Sequence, residues 1–294
     1  MKRIICLALV LCLVLSLSSC LSWAVSDIIK GGRTNEDDFE IEEIEDDEEE
    51  TKSSLKEVLV DQNGVKITLK GYNESGSYFG PTFDFLIEND TDKNLSVMTN
   101  HVVVNGFMIT ALLSTEVSAG KKANDSLDVF KSSLDLAEIS EINELELSFH
   151  IYDDDWNTVL DTELIKITLS DKASTAADGS GDLLYEDGGI KIVAKKLNKD
   201  GVLGPAVVLY IENNSGANCT VQVDNMSVNG YMMSGYLSCT VLDGKRAVNE
   251  LTIYKSDLEA NGIDSVEDLE ISFRIFNSDT WRDITKTDPV TLKF

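Results

Sequence analysis

The feature that most limits what this chain can fold into is an internal duplication. Gly64-Val-Lys-Ile67 recurs as Gly189-Ile-Lys-Ile192, and Ile87-Glu-Asn89 as Ile211-Glu-Asn213. Val104-Asn-Gly-Phe-Met108 recurs as Val228-Asn-Gly-Tyr-Met232, Gly120-Lys121 as Gly244-Lys245, and Leu145 to Ile151 as Leu269 to Ile275. Trp156 and Trp281 close the series, one residue out of step. The matched units run from 57 to 170 and from 184 to 294. Each exceeds the 20–50 residues of a solenoid element, so each is expected to fold as a domain. The stretch 171–183 between them is small, polar and Gly-containing, the composition of a flexible linker.

Within a unit the pattern predicts strands. Val65, Ile67 and Leu69 alternate with Lys66, Thr68 and Lys70, and Leu145, Leu147 and Phe149 also alternate with polar residues. Phe83 to Ile87 and Val207 to Ile211 begin just after a proline, where it disturbs a ladder least. Asn105-Gly106 and Asn229-Gly230 stand between strand segments and predict hairpin turns, because both residue types accept a positive φ. Short helical turns are expected at 133–139 and 255–262, each with a leucine to close one end of the fold. The whole reads as all-β, with an antiparallel two-sheet sandwich in each unit. A closed barrel fits the same pattern.

The N-terminus has the parts of a secretion signal: Lys2 and Arg3, an apolar run from Ile4 to Leu17, then Leu17-Ser-Ser-Cys20. The run is short for a membrane span, which needs about 20 apolar residues. Residues 1–20 are therefore expected to be a signal peptide ending in a lipobox-like sequence, with Cys20 as lipid acceptor. Ala24-Val25-Ser26 offers an ordinary cleavage site instead, which would release a secreted protein beginning at Asp27. The segment 21–56 contains twelve acidic residues among the fifteen from Glu36 to Glu50 and is expected to be an extended tether. A formal net charge of −27 disfavours nucleic acid and anionic lipid as partners. Membrane attachment is expected through the lipid alone.

Few residues suggest chemistry. Cys219 and Cys239 lie on the two strands flanking Asn229-Gly230 and, counted from that turn, nearly oppose one another. They are either a cross-strand disulfide or two buried thiols filling sites held by Leu95 and Thr115 in the first unit. His101 and His150 do not recur and are framed by no zinc-ligand spacing or catalytic triad. Asp153, Asp154 and Asp155 form the densest acidic loop of either unit, a candidate calcium site or a solvated turn. Phe107, Trp156, Tyr231 and Trp281 occupy matched positions, as core packing or as recognition aromatics. No metal site is assigned, and no enzymatic activity is expected.

The segments Ile87-Glu-Asn89, Val104-Asn-Gly106, Gly120-Lys121, Val228-Asn-Gly230 and Gly244-Lys245, behind the lipobox-like signal, resemble tandem immunoglobulin-like extracytoplasmic domains of lipoproteins from Gram-positive, Clostridia-like bacteria. The resemblance covers both units and rests on turn and strand residues. Leu21 departs from the small or polar residue that often follows the lipidated cysteine. The resemblance implies an extracytoplasmic β-sandwich without catalytic residues to carry over. The expected function is a non-catalytic interaction or scaffold module at the cell surface, meeting an envelope protein or polysaccharide. The alternative is a module that binds envelope polysaccharide or calcium.

Overall fold

The alternation of apolar and polar residues becomes burial on one face of each strand. The computed structural model describes residues 52–172 and 174–294. The signal segment, Cys20 and all but the last residues of the acidic stretch lie outside the described residues. In β2 (Val65–Ser77), Val65, Ile67 and Leu69 are buried while their neighbours are less so. Leu145, Leu147 and Phe149 of β9 (Glu144–Asp153) and Leu269, Ile271 and Phe273 of β20 (Asp268–Asn277) also point inward.

The architecture is all-β, in three sheets. The first contains β1 (Lys52–Gln62), β2, β3 (Gly80–Asn89), β8 (Lys121–Val129) and β6 (Ala111–Leu112), in that order. It faces β4 (Leu95–Val104), β9, β10 (Thr158–Asp161), β11 (Ile165–Thr168), β7 (Ser114–Val117) and β5 (Phe107–Met108) across one core built around Phe83, Phe85 and Phe149. In the second half, β12 (Asp182–Asp187), β13 (Ile190–Asn198), β14 (Ala206–Asn213), β19 (Lys245–Ile253) and β17 (Gly235–Tyr236) form one layer. The opposing layer is β15 (Cys219–Val228), β16 (Tyr231–Met232), β18 (Ser238–Val241), β20, β21 (Asp283–Lys286) and β22 (Val290–Lys293). A second core, with Phe273, Leu251 and Ile211, lies between them. The antiparallel pairings β2–β3, β3–β8 and β4–β9 are matched by β13–β14, β14–β19 and β15–β20. Two one-turn-and-a-half helices, α1 (Lys131–Leu136) and α2 (Lys255–Ala260), bury Leu134 and Leu258.

Both Asn-Gly turns have the expected left-handed backbone, with φ of 51° and 83° at Asn105-Gly106 and 50° and 81° at Asn229-Gly230. Their side chains do more than the turn requires. The Asn105 Oδ1 accepts from the backbone N–H groups of Asn143 and Glu144, and the Asn229 Oδ1 from those of Glu267 and Asp268. Each asparagine thus fastens its hairpin to the loop that feeds the neighbouring strand.

The asparagines of the repeated Ile-Glu-Asn segments join the two layers. Asn89 Nδ2 donates to the carbonyls of Lys93 and Val117, and its Oδ1 accepts from the N–H and hydroxyl of Thr91. Asn213 repeats the set, donating to Ala217 and Val241 and accepting twice from Ser215. Val117 and Val241 belong to the opposing layer in each half, so one amide spans the sandwich edge.

The layer containing β4 and the layer containing β14 are joined into one 11-stranded sheet by parallel pairing of β5 with β19. The stretch 171–183 follows this junction closely and does not run free. Ala177 is buried and its N–H donates to the Ala137 carbonyl, Lys172 accepts from Asn143, and Asp178 pairs with Lys195. Ala177 is the one buried residue among those described there, and most of the others are exposed. The tether expected over 21–56 also ends earlier than that boundary: residues 52–56, which carry no acid, belong to β1, where Lys52 to Ser54 pair with Asn73 to Gly71.

Replacing Asn213 by alanine strands the buried Val241 carbonyl, the half-buried Ala217 carbonyl and two donors at Ser215. The Asn213→Ala variant is expected to lose about 3 kcal/mol of stability, measured by urea unfolding. A loss below about 0.5 kcal/mol would mean the amide is replaceable by water.

Candidate functional site

The site candidates are built from the hairpin loops that follow β9 and β20. In the first, Asp153 N donates to the Asn157 carbonyl and Trp156 N donates to the Asp153 carbonyl. The Asp153 Oδ1 accepts from the N–H groups of Asp155 and Asn157, which folds the loop around its side chain. Asn277 does the same in the second half, accepting from the N–H groups of Asp279 and Thr280, while Trp281 N donates to the Asn277 carbonyl. Lys93 forms an ion pair with the other oxygen of Asp153. Asp154 and Asp279 each accept from a matched asparagine, Asn94 and Asn218.

In this geometry the first of the three acids, Asp153, is used within its own turn, as the solvated-turn alternative for Asp153, Asp154 and Asp155 expects. Asp153 is buried in its own turn and already holds a cation, the Lys93 ammonium. Among the described residues no three His, Cys, Asp or Glu side chains converge as metal ligands. The Lys93 ammonium and the amide donors of Asn157 hold the Asp153 carboxyl well below the usual carboxylate range.

Both loops place a tryptophan in the left-handed region, with φ of 64° at Trp156 and 61° at Trp281. Glycine or asparagine is the ordinary occupant there, and a bulky side chain costs about 1–2 kcal/mol. Each indole lies parallel to a second ring. Trp156 stacks on Tyr152 at 5.0 Å and 10°, and Trp281 on Phe276 at 5.6 Å and 19°. A third group extends each ladder along the strand: His150 beside Tyr152, and the Arg274 guanidinium 4.6 Å from the Phe276 centroid. Trp156 is nevertheless 74% exposed and Trp281 73%, so the outer face of each indole meets solvent. Packing does not account for these two positions.

The other matched aromatics divide. Phe107 is fully buried at the junction, edge-on to Tyr210 and beneath Arg246, which removes it from the candidate recognition residues. Its counterpart Tyr231 is exposed, together with Met232 and Tyr236. The continuous apolar run of Val207 to Ile211 was the legible signal for that junction: β14 is buried on both faces, whereas Phe83-Asp-Phe-Leu-Ile87 alternates and has one solvated face.

Cys219 and Cys239 are free, buried thiols. Cys219 lies opposite Val241 and Cys239 opposite Val221, so the two share a face but are two positions apart, a diagonal too long for a disulfide. Burial pushes their thiols up to about 12 and about 11. His101 is half-buried beside Ser148, and burial lowers its pKa.

A polar cleft of about 740 Å3 lies at the junction, lined by Glu144, Glu146, Lys166, Lys245 and Arg246 among others. Two of its lysines are spent on its own acids, Lys166 on Glu144 and Lys245 on Glu146. Grooves of about 550 and 510 Å3 beside α1 and α2 recur with the fold.

No family model matches the chain, and no curated protein matches it. Among the solved structures similar in part are two of different kinds. One is the Amycolatopsis orientalis exo-chitosanase CsxA in complex with PNP-beta-D-glucosamine, at 13% identity and a TM-score of 0.24. The match covers 72% of this chain, which spans only 25% of the chitosanase. The other is the Salmonella enterica SafA pilin in complex with the SafB chaperone, at 11% identity and a TM-score of 0.23, covering 72% of this chain and 89% of that one. Likenesses this distant bear on neither function nor ligand.

Two measurements test the loop geometry. Both Trp281→Gly and Trp281→Ala lose the stacked ring, but only glycine relieves the left-handed backbone. The glycine variant is expected to be the more stable by about 1 kcal/mol in thermal or urea unfolding; the reverse order would refute the strained conformation. Because the folded Asp153 pKa is lowered, its carboxylate contributes stability above its unfolded value of about 3.9 and loses it as pH falls further. Asp153→Asn, which copies Asn277, is expected to flatten the stability-versus-pH curve below about pH 4. An unchanged slope would remove Asp153 from that linkage.

Proposed function

We propose that the chain is a non-catalytic, extracytoplasmic binding module of two tandem immunoglobulin-like sandwich domains, held to the membrane by lipid on Cys20, that grips a neutral envelope polysaccharide through Trp156 and Trp281. The observation that carries this reading is the recurrence, in both halves, of an open indole face on a strained backbone. The flat C–H face of a pyranose ring packs on such a surface, and the aromatic ring beneath keeps the indole in place at little entropic cost. Polar groups sit at the rim of each platform for sugar hydroxyls: Asn94 with Asp154, and Asn218 with Asp279.

Charge narrows the ligand. A chain with a formal charge of −27 repels anionic wall polymers and favours neutral or amino sugars. Two platforms on one chain suit a polymer, since the second contact forms at high effective concentration after the first. The matched folds, the lipobox-like signal and the resemblance of the repeated segments support the domain and anchoring parts of the reading.

The test is co-sedimentation with an insoluble β-1,4-linked glucan, a β-1,4-linked N-acetylglucosamine polymer and an anionic phosphate-containing wall polymer. Retention by at least one of the first two is expected, with none by the third. Trp156→Ala or Trp281→Ala is expected to weaken retention about tenfold or more, and the double variant to abolish it. Failure of both neutral glycans to retain the protein, or full retention of the double variant, would sink the proposal.

A further inference from the structure

The junction between the halves is built from a short list of contacts. In the parallel pairing of β5 with β19, Arg246 lies beside Phe107 and Ala247 beside Met108. Arg246 N donates to the Gly106 carbonyl at 3.0 Å, and its guanidinium lies 4.3 Å from the Phe107 centroid. One residue earlier, Lys245 pairs with Glu146. The contact is heterologous: one face of the first half meets a different face of the second.

Because the halves are matched, each face has a counterpart that the chain leaves uncovered. Phe107 and Met108 correspond to Tyr231 and Met232, Gly106 to Gly230, and Glu146 to Glu270. On the other face, Lys245, Arg246 and Ala247 correspond to Lys121, Lys122 and Ala123. Tyr231 is 51% exposed, Met232 68% and the adjacent Tyr236 59%. Lys121, Lys122 and Glu270 are exposed as well, the Lys122 ammonium being paired with Glu88 of the adjoining strand. Among the described residues β16 pairs with β15 alone. Strand β8 pairs with β3 along one edge, and with β6 only at Asp128 and Val129 on the other.

We propose that a second copy of this chain covers these surfaces, its β8 edge at Lys121–Ala123 docking on β16 and repeating between molecules the junction that joins the halves. Each element of the junction has a chemically equivalent group in place. The Lys122 ammonium, swinging from its exposed pair with Glu88, takes the guanidinium's position over the Tyr231 ring, a cation–π contact of the same kind. Lys121 faces Glu270 as Lys245 faces Glu146. The Lys122 N–H meets the Gly230 carbonyl, extending one sheet across two molecules.

The counterparts also set the strength. Val208 and Val248, which pack against the first half, correspond to Asp84 and Asn124. The intermolecular contact is therefore confined to the strand edge and its rim, and it is weaker than the junction it copies. A heterologous contact leaves one free face of each kind on every complex, so association continues past the dimer.

The proposal is tested by sedimentation velocity on residues 27–294, which contain the whole compact unit, from about 1 µM to about 1 mM, the range in which weak contacts populate. The wild type is expected to pass beyond dimer as concentration rises. Tyr231→Glu and Lys122→Glu are each expected to remain monomeric, yet a one-to-one mixture of the two is expected to form heterodimers and stop there. Glu270→Lys alone blocks association, and adding Lys121→Glu restores it. Thermal unfolding of each variant separates blocked association from misfolding, and Met232→Lys serves in place of any variant that does not fold. A wild type that stays monomeric throughout, or stops at dimer, overturns the proposal. Association that survives in both single variants does so too. The Trp156→Ala and Trp281→Ala variants are expected to associate normally, which keeps this outcome independent of glycan binding.

Discussion

The two layers of each half are held in register by one buried amide. Asn89 and Asn213 sit where a strand of one layer ends, and each uses both amide hydrogens and its oxygen on partners from the turn and from the opposing layer. A buried polar group so fully satisfied adds little net energy beyond an apolar replacement, but it tolerates only one arrangement of its partners. Sliding the layers by one residue would leave those carbonyls and amides unpaired in a dry site. The register of β7 and β18 follows from this, and so does the position of the loops beyond them. Asn94 and Asn218, a few residues on, reach the tryptophan loops directly. The path from a repeated Ile-Glu-Asn segment to the placement of the indole rings is therefore short.

The tryptophan loops show the opposite economy. Local preference would put glycine at the left-handed position and leave nothing exposed there. Both halves instead carry the largest side chain in that place, braced by an aromatic ring and by the loop-shaping Asp153 or Asn277. Where local rules are broken in the same way twice within one chain, stability of the fold is a poor explanation.

Much of this architecture was legible in the residues. Alternation identified the inward faces of β2, β9 and β20, and Asn-Gly located both hairpin turns. The rest has particular causes. The residues leave a disulfide and two buried thiols both open, and the structure has the thiols, because the chain, after Tyr231 and Met232, crosses at Gly235–Tyr236 to pair with β19 before returning as β18. That detour shifts every later pairing by one residue, and nothing but a glycine marks it. The composition of 171–183 hides the anchoring of that stretch, because a small polar segment reads alike whether it runs free or is fastened at a few points such as Ala177 and Asp178. The exposure of the tryptophans was hidden because recurrence is the same for a core residue and a ligand-facing one. Only the backbone angle and the open ring face separate the two.

The parallel pairing of β5 with β19 turns two sandwiches into parts of one continuous sheet. A hinge at that place would let each tryptophan loop find its own point on a polymer. A shared ladder limits that freedom, and on the proposed glycan-binding reading the two platforms would act as the marks of a ruler. A ligand whose repeat is commensurate with their separation engages both without bending. One with a different pitch must distort or forfeit the second contact. On that reading, selectivity would reside in the period of the ligand as much as in the chemistry of its units.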